Sequence, residues 1–253
     1  MVTLVRKLDW PDCRNTRDLG GLRCGAGFTR AGQMVRSDNI SNLTTEGVQA
    51  MWAYGVNTVI DLRSESEVAT SPSPFAPAES GPRYVNLPLI DDSSSPTVAA
   101  APGMAERYRL ILDHRRKAFA QVFSTIAAAD GAVLFHCFAG KDRTGLVAAM
   151  LLSLAGAKTD AIAADYGETD VNLASKYEEW LATAKPERLD SMRDELRCPP
   201  EWMLGALGHM DRKVGRGKAL PDRGRHAAGR NRTPTGQTGP VANITSRSPR
   251  RSA

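Results

Sequence analysis

Nothing in the 253 residues approaches the roughly 18 to 20 consecutive apolar positions that a bilayer-spanning helix needs. The opening MVTLVRKLDW also lacks the continuous apolar segment of a signal peptide. Cytoplasm is therefore the expected location, with export lacking a classical signal as the alternative. Cysteine is scarce: there are four, at 13, 24, 137 and 198, with no CxxC pair. No two histidines stand four apart either, so no zinc site is expected, nor any other cofactor. Reduced thiols suit an intracellular setting better than a Cys13–Cys24 disulfide.

Aromatic residues are missing altogether from residues 216–253, as are most large apolar ones. That segment holds nine Lys and Arg against one acid, Asp222, and is rich in Gly, Pro, Ser and Thr. It cannot bury enough apolar surface to offset its ordering entropy, and a disordered basic tail is predicted. An electrostatic arm is one reading of it and a plain solvated extension the other. With irregular arginine spacing and no ring to stack on bases, no specific nucleic-acid partner is expected. The remaining residues, 1–215, carry 24 basic groups against 27 acids, a net charge of −3. The basic pI therefore belongs to the tail, and residues 1–215 are the length of a single folded domain.

In that domain strands and helices alternate. A strand is predicted at Met34–Ser37, then a helix over Leu43–Tyr54 with Ser41 or Thr44 as cap. The β-branched run Val56–Arg63 reads as a buried strand. A Pro/Ser-rich loop follows to about Pro82, and Arg83–Leu89 reads as another strand. Ala118, Phe119, Val122, Phe123 and Ile126 share one helical face. Ala132–Phe135 is a short strand, and Leu146–Leu154 a helix. From Ala161 to Leu207 the pattern is helical, broken at Lys185–Pro186 and Pro199–Pro200. The expected class is α/β, with a short, mostly parallel central sheet flanked by helices.

HCFAGKDRTG, His136–Gly145, is the turn from the Ala132 strand into the Leu146 helix. Such a turn leaves backbone N–H groups without partners around one concavity at the positive end of the helix dipole. A nest of this kind binds a tetrahedral oxyanion. Cys137 opens the loop, where the same N–H groups favour thiolate over thiol. Arg143, beyond five intervening residues, can return over the cavity and match two phosphoryl oxygens with its planar fork. Thiolate attack on phosphorus, followed by hydrolysis of a phosphocysteine, is the chemistry this pattern predicts.

Cys-x5-Arg followed by Thr144 resembles the signature of the protein tyrosine phosphatase superfamily. With NTRDLGG (Asn15–Gly21), RSDNISNLT (Arg36–Thr44) and VIDLRS (Val59–Ser64), the chain is similar over about residues 9–214 to the bacterial tyrosine phosphatase family that includes the secreted mycobacterial phosphatase B. The resemblance implies extra helices covering the active site. It also implies a phosphate pocket formed by Phe138, Ala139, Gly140, Lys141 and Thr144, the last bonding the Cys137 sulfur. Asp142 is implied as proton donor to the leaving group, although other members of the superfamily use an aspartate on a separate loop, for which Asp91 and Asp92 are candidates. Lys141 departs from ordinary tyrosine phosphatases, and a second cation at the rim suits substrates with more than one phosphate. Phosphotyrosine, phosphoserine or phosphothreonine, and phosphoinositides are the implied substrates.

Plainer roles stand beside these. Asp142 could only cap its helix, Lys141 could be an exposed solubilising charge, and Thr144 an ordinary first-turn residue. His136 is expected to be a structural hydrogen-bonding residue behind the loop. Asp61 and Arg63, at a strand end where ligands gather in open α/β sheets, are expected to support the loop through ion pairs with Arg17–Asp18. Arg115, Arg116 and Lys117 form a basic cluster suited to weak contact with anionic membrane, or simply a solvated helix face.

Two other nucleophile or phosphate loops fail. A nucleotide-binding P-loop needs Ser or Thr after the lysine and Gly six residues before it, where this chain has Asp142 and Phe135. A sulfur-transfer loop does not require Arg143 and Thr144. The remaining alternative is a phosphate-binding module without catalysis, which would be expected to have lost its nucleophile.

Overall fold

Alternate side chains of two strands divide the interior into two cores, and that division fixes the layering. In the computed structural model, which describes residues 5–25, 27–76 and 81–213, the chain opens with three two-residue strands, β1 (Arg17–Asp18), β2 (Arg23–Cys24) and β3 (Gly27–Phe28). Next come β4 (Met34–Ser37), α1 (Thr45–Ala53), β5 (Val56–Asp61), α2 (Glu65–Thr70), β6 (Arg83–Asn86), α3 (Ser95–Ala99), α4 (Met104–His114) and α5 (Arg116–Ala127). The second half holds β7 (Ala132–His136), α6 (Asp142–Leu154), α7 (Thr159–Asn172), α8 (Ala174–Thr183), a 3-10 turn at Pro186–Arg188, α9 (Leu189–Leu196) and α10 (Pro200–Lys213).

The main sheet has the order β1-β4-β7-β5-β6. Its last four strands run parallel, and β1 alone is antiparallel, against β4. In β7, Val133 and Phe135 enter the core beneath α4, α5, α6, α7 and α10, whereas Ala132 and Leu134 join Trp10, Val35, Met51 and Val59 on the α1 face. Period-two alternation with apolar residues on both faces is what a parallel sheet covered by helices on either side requires. Asp61 and Ser37 both lie opposite His136 in register, so the carboxyl ends of β4, β5 and β7 finish at one level. The loop that follows His136 rises from that edge, where an open α/β sheet places its ligands.

Several boundaries differ from expectation, among them the strand read over Arg83–Leu89, which ends at Asn86, and the helix read from Leu146, which begins at Asp142. The stretch read as a Pro/Ser-rich loop contains α2, whose Ser64 and Glu67 form a reciprocal capping box. ESEVAT offers no apolar stripe, so periodicity could not find it. The strand read to Arg63 ends at Asp61, because the Asp61 carboxylate accepts the Arg63 N–H at 3.0 Å and turns the chain out of the ladder. The basic stretch before Phe119 spans the end of α4 and the start of α5. Arg115 breaks it, donating from Nε to the Leu89 carbonyl at 2.9 Å and pairing with Asp91 at 2.5 Å.

Among the described residues no helix is long and apolar enough to cross a membrane, and the four cysteines are free thiols. The predicted basic tail, 216–253, lies outside the described residues.

Candidate active site

The loop from Cys137 to Lys141 is held from behind by its carbonyls. Phe138 O accepts the Asn39 N–H at 2.9 Å. Ala139 O and Gly140 O both accept from Asn15 Nδ2, at 3.0 and 3.1 Å, and Gly140 O also accepts from Arg36 Nη2 at 2.7 Å. A trans peptide points its N–H opposite to its C=O, so tying these carbonyls outward turns the following N–H groups inward. Among the described residues none of the N–H groups from Phe138 to Arg143 has a protein partner. Gly140 makes the turn possible. Its φ is +63°, and a Cβ there would meet Ser37 O at 2.4 Å and Asp38 N at 2.6 Å.

Cys137 sits at the base of the loop and is 2% exposed. Arg143, in the first turn of α6, is gripped by Glu67 of α2 through two bonds, Nη1 to Oε2 at 2.5 Å and Nη2 to Oε1 at 2.8 Å. Glu67 Oε2 also accepts the Ser64 N–H at 2.8 Å, so one carboxylate caps its own helix and aims the arginine. Burial works to raise the Glu67 pKa, but the Arg143 bonds prevail and hold it below the ordinary glutamate value. Burial works to lower Arg143, and its bonds to Glu67 outweigh it, pushing the guanidinium upward.

Asp142 accepts a hydrogen bond from the Tyr108 hydroxyl at 2.5 Å, and that hydroxyl also meets Tyr166 OH at 2.8 Å. Of the alternative aspartates, Asp91 is occupied by Ser93, Ser94 and Arg115, and these bonds hold its carboxyl well below the usual range. Asp92 accepts from the Ser66 N–H and Oγ at 3.1 and 2.6 Å, and neighbouring serine hydroxyls lower it too. It nevertheless lines the same cleft as Asp142 and Arg143.

Lys141 is not the exposed charge of the plainer reading. It is 3% exposed, donates to the Glu195 carbonyl, lies 3.6 Å from Asp142 Oδ1 and stands 5.4 Å over the Trp202 ring. Thr144 Oγ1 is buried and has no hydrogen-bond partner among the described residues, so the expected bond to the Cys137 sulfur is not formed.

The expected pairing of Asp61 and Arg63 with Arg17–Asp18 is also replaced. Asp61 takes Arg63 itself at 2.7 Å and stands 3.6 Å from His136 Nε2. Burial raises the Asp61 pKa, but His136 and Arg63 overcome it, and the carboxyl stays below its ordinary value. Full burial pushes His136 down against the pull of Asp61, and its Nδ1 meets the Cys137 carbonyl at 3.2 Å. His136 thus lies fully buried behind the loop. Arg17 and Asp18 have other partners: Arg17 binds Asp165 of α7, and Asp18 binds Tyr54 and the N–H groups of Gly20 and Gly32.

Two clefts of about 440 Å³ meet at Asp142, Met104 and Arg107. One passes Glu67, Asp92 and Arg143. The other runs under α8 and α9, past Lys141, Tyr177, Trp180 and Glu195, and Phe138 stacks on Trp180 with 5.6 Å between ring centroids. In the basic cluster Arg115 is occupied, while Arg116 and Lys117 face solvent. Among the described residues no group of acids, histidines and cysteines has the form of a metal site. Glu67, Asn15, Arg36 and Asp165 were not read as site residues. Glu67 had a legible signal, the capping box Ser64-x-x-Glu67; the partners of Asp165 lie about 130 to 160 positions away.

A family model described as the tyrosine phosphatase family matches residues 8–219, and the chain belongs to that family. Its relatives include a tyrosine-protein phosphatase of Nostoc commune, 36% identical over 172 residues, which are 66% of this chain and 56% of that one. A putative tyrosine-protein phosphatase of Cupriavidus necator is 33% identical over 62% of this chain and 60% of its own length. The triple specificity protein phosphatase PtpB of Mycobacterium tuberculosis is 32% identical over 193 residues, 64% of this chain and 68% of that one. The chain thus spans less than two thirds of the first two relatives. Among solved structures, TpbA of P. aeruginosa is similar at 16% identity over 81% of this chain and 97% of that one, with a TM-score of 0.35, a likeness that carries no argument.

Proposed function

We propose that the protein is a cysteine-dependent phosphatase that hydrolyses phosphate monoesters through a phosphocysteine. The observation that carries this reading is the loop itself: a buried Cys137 under a ring of unpartnered N–H groups, closed by an arginine whose direction Glu67 sets. The phosphoryl group of the substrate sits in the nest, its oxygens held by the amides and by the N–H groups of Arg143 that Glu67 leaves free. Cys137 Sγ attacks phosphorus as the bond to the ester oxygen breaks. Asp142 protonates that oxygen, and the alcohol or phenol leaves. Water then attacks the phosphocysteine and gives its proton to Asp142. The P–S bond breaks, and inorganic phosphate departs with the thiolate restored.

The site favours phosphotyrosine first, because Phe138, Trp180 and Tyr177 form an aromatic wall beside the loop. Phosphoserine, phosphothreonine and phosphoinositides extend the range. Lys141 Nζ donates one N–H to the Glu195 backbone carbonyl, and its remaining N–H groups beside Asp142 can turn to a second phosphate; the mycobacterial relative carries triple specificity in its name. Arg116 and Lys117 would meet anionic membrane if the substrate is a lipid.

Hydrolysis of para-nitrophenyl phosphate tests the reading. Activity lost in Cys137→Ser supports it, while no activity in either protein favours phosphate binding without catalysis. Arg143→Lys is expected to be nearly as inactive as Cys137→Ser. Phosphotyrosine peptide, phosphothreonine peptide and phosphoinositides, compared side by side, rank the substrates. Lys141→Ala is expected to lose more on lipid than on peptide, and equal losses would remove its proposed role.

A further inference from the structure

We infer that Asp165, on α7 and outside both clefts, is a positioning residue for the oxyanion nest. This rests on the reading of the Cys137 loop as a phosphoryl site.

Asp165 is 1% exposed and lies among arginines. Its Oδ2 accepts from Arg36 Nη1 at 2.6 Å. Its Oδ1 accepts from Arg17 Nε at 3.2 Å and is also bound by Arg6, while its backbone carbonyl accepts from Arg17 Nη2 at 2.7 Å. Two routes lead from this carboxylate to the same peptide of the loop. On the first, Arg36, fixed by Asp165, donates its other Nη to Gly140 O at 2.7 Å. On the second, Arg17 donates to Asn15 Oδ1 at 2.5 Å, which fixes the face of that amide. Asn15 Nδ2 is then turned to Ala139 O and Gly140 O.

The consequence follows from peptide geometry. With the Gly140 carbonyl held outward by two donors, the Lys141 N–H must face the cavity, and the Ala139 carbonyl does the same for the Gly140 N–H. Released, these carbonyls would be free to rotate inward and present negative ends to a phosphate. A salt-bridged carboxylate with such partners could be fold support alone. Two features argue for more: both routes end on loop carbonyls rather than on the core, and the Asn15 branch adds no charge to any ion pair.

The test measures inorganic phosphate as a competitive inhibitor, together with kcat and KM on para-nitrophenyl phosphate, in Asp165→Asn, Asn15→Ala and Glu168→Gln. Glu168 touches Arg6 and Arg17 of the same ion-pair group, but the loop does not depend on it, so Glu168→Gln reports fold support. Asp165→Asn and Asn15→Ala, each folded by thermal melt, are expected to raise the phosphate inhibition constant about tenfold or more and to lower kcat/KM. Glu168→Gln is expected to change the inhibition constant less than twofold, even with a lowered melting temperature. If Asp165→Asn does not fold, Asn15→Ala decides alone, since it leaves every ion pair in place. A folded Asn15→Ala or Asp165→Asn with wild-type inhibition by phosphate and wild-type kcat/KM would overturn the inference while leaving the phosphatase reading intact. A wild-type protein that neither hydrolyses the ester nor binds phosphate would overturn both.

Discussion

Replacing Glu67 by glutamine removes the charge from the one side chain that holds both Nη groups of Arg143 while keeping its size. The pair is largely shielded, with side-chain exposures of 14% for the arginine and 31% for the glutamate. Hydrogen bonds to a charged group contribute about 1.5 to 3 kcal/mol each, and glutamine retains one of the two acceptor oxygens. Its amide nitrogen, facing the guanidinium, repels it. We therefore expect a loss of roughly 1 to 2 kcal/mol in the orientation of Arg143, and at about 1.4 kcal/mol per decade a fall in kcat/KM of roughly 5- to 30-fold. The decrease should appear in kcat as well as KM, because the fork is matched to the transition state more closely than to the ground state. The capping box of α2 weakens as well, by about 0.5 to 1 kcal/mol, which a thermal melt reads separately. Steady-state kinetics on para-nitrophenyl phosphate decides the matter. A folded Glu67→Gln with kcat/KM within twofold of wild type would show that Arg143 does not need this partner.

Asp142→Asn is expected to lose about 10²-fold or more on an alkyl phosphate, where expulsion needs a proton, and much less on para-nitrophenyl phosphate. Asp91→Asn should keep that leaving-group dependence unchanged, and the reverse pattern would move the proton donor to the other loop. Gly140→Ala forces a side chain into a left-handed conformation, costing about 1 to 2 kcal/mol, and drives its Cβ against the Ser37 and Asp38 backbone; activity should vanish, and a fully active variant would mean the loop is not built this way. The pKa values of Asp165 and Glu67 are depressed in the fold, so the stability they contribute is present above the ordinary carboxylate range, near pH 4 to 4.5, and is lost as pH falls through their lower folded values. Urea unfolding between pH 6 and 3 should show Asp165→Asn losing less stability on acidification than wild type, and parallel curves would contradict this.

What the sequence disclosed follows from how local each signal is. HCFAGKDRTG needs only its own ten residues to define a strand, a turn and a helix start, and the β-branched run at Val56 needs only its own composition, so both were legible. Thr44 as the α1 cap is equally local, and its side chain accepts the Gly47 N–H. Helix α2 escaped because it buries no stripe of its own and is held by caps and by Arg143. The Lys141 environment escaped for a different reason: nothing within the loop says that the end of α9 and Trp202 will close over it. The Asp61–Arg63 pair was read with the wrong partners because charge alone does not choose among buried arginines. Register does, and Asp165 reaches Arg17 and Arg36 only after α7 has packed beside α6.

The central claim is a covalent one, that phosphorus passes through the sulfur of Cys137. Rapid acid quench of turnover, with digestion and mass spectrometry of the peptide bearing residue 137, measures it directly. A phosphoryl adduct on Cys137 that forms and decays at rates able to support kcat, and is missing in Cys137→Ser, is the predicted result. Sustained ester hydrolysis by Cys137→Ser would contradict the account.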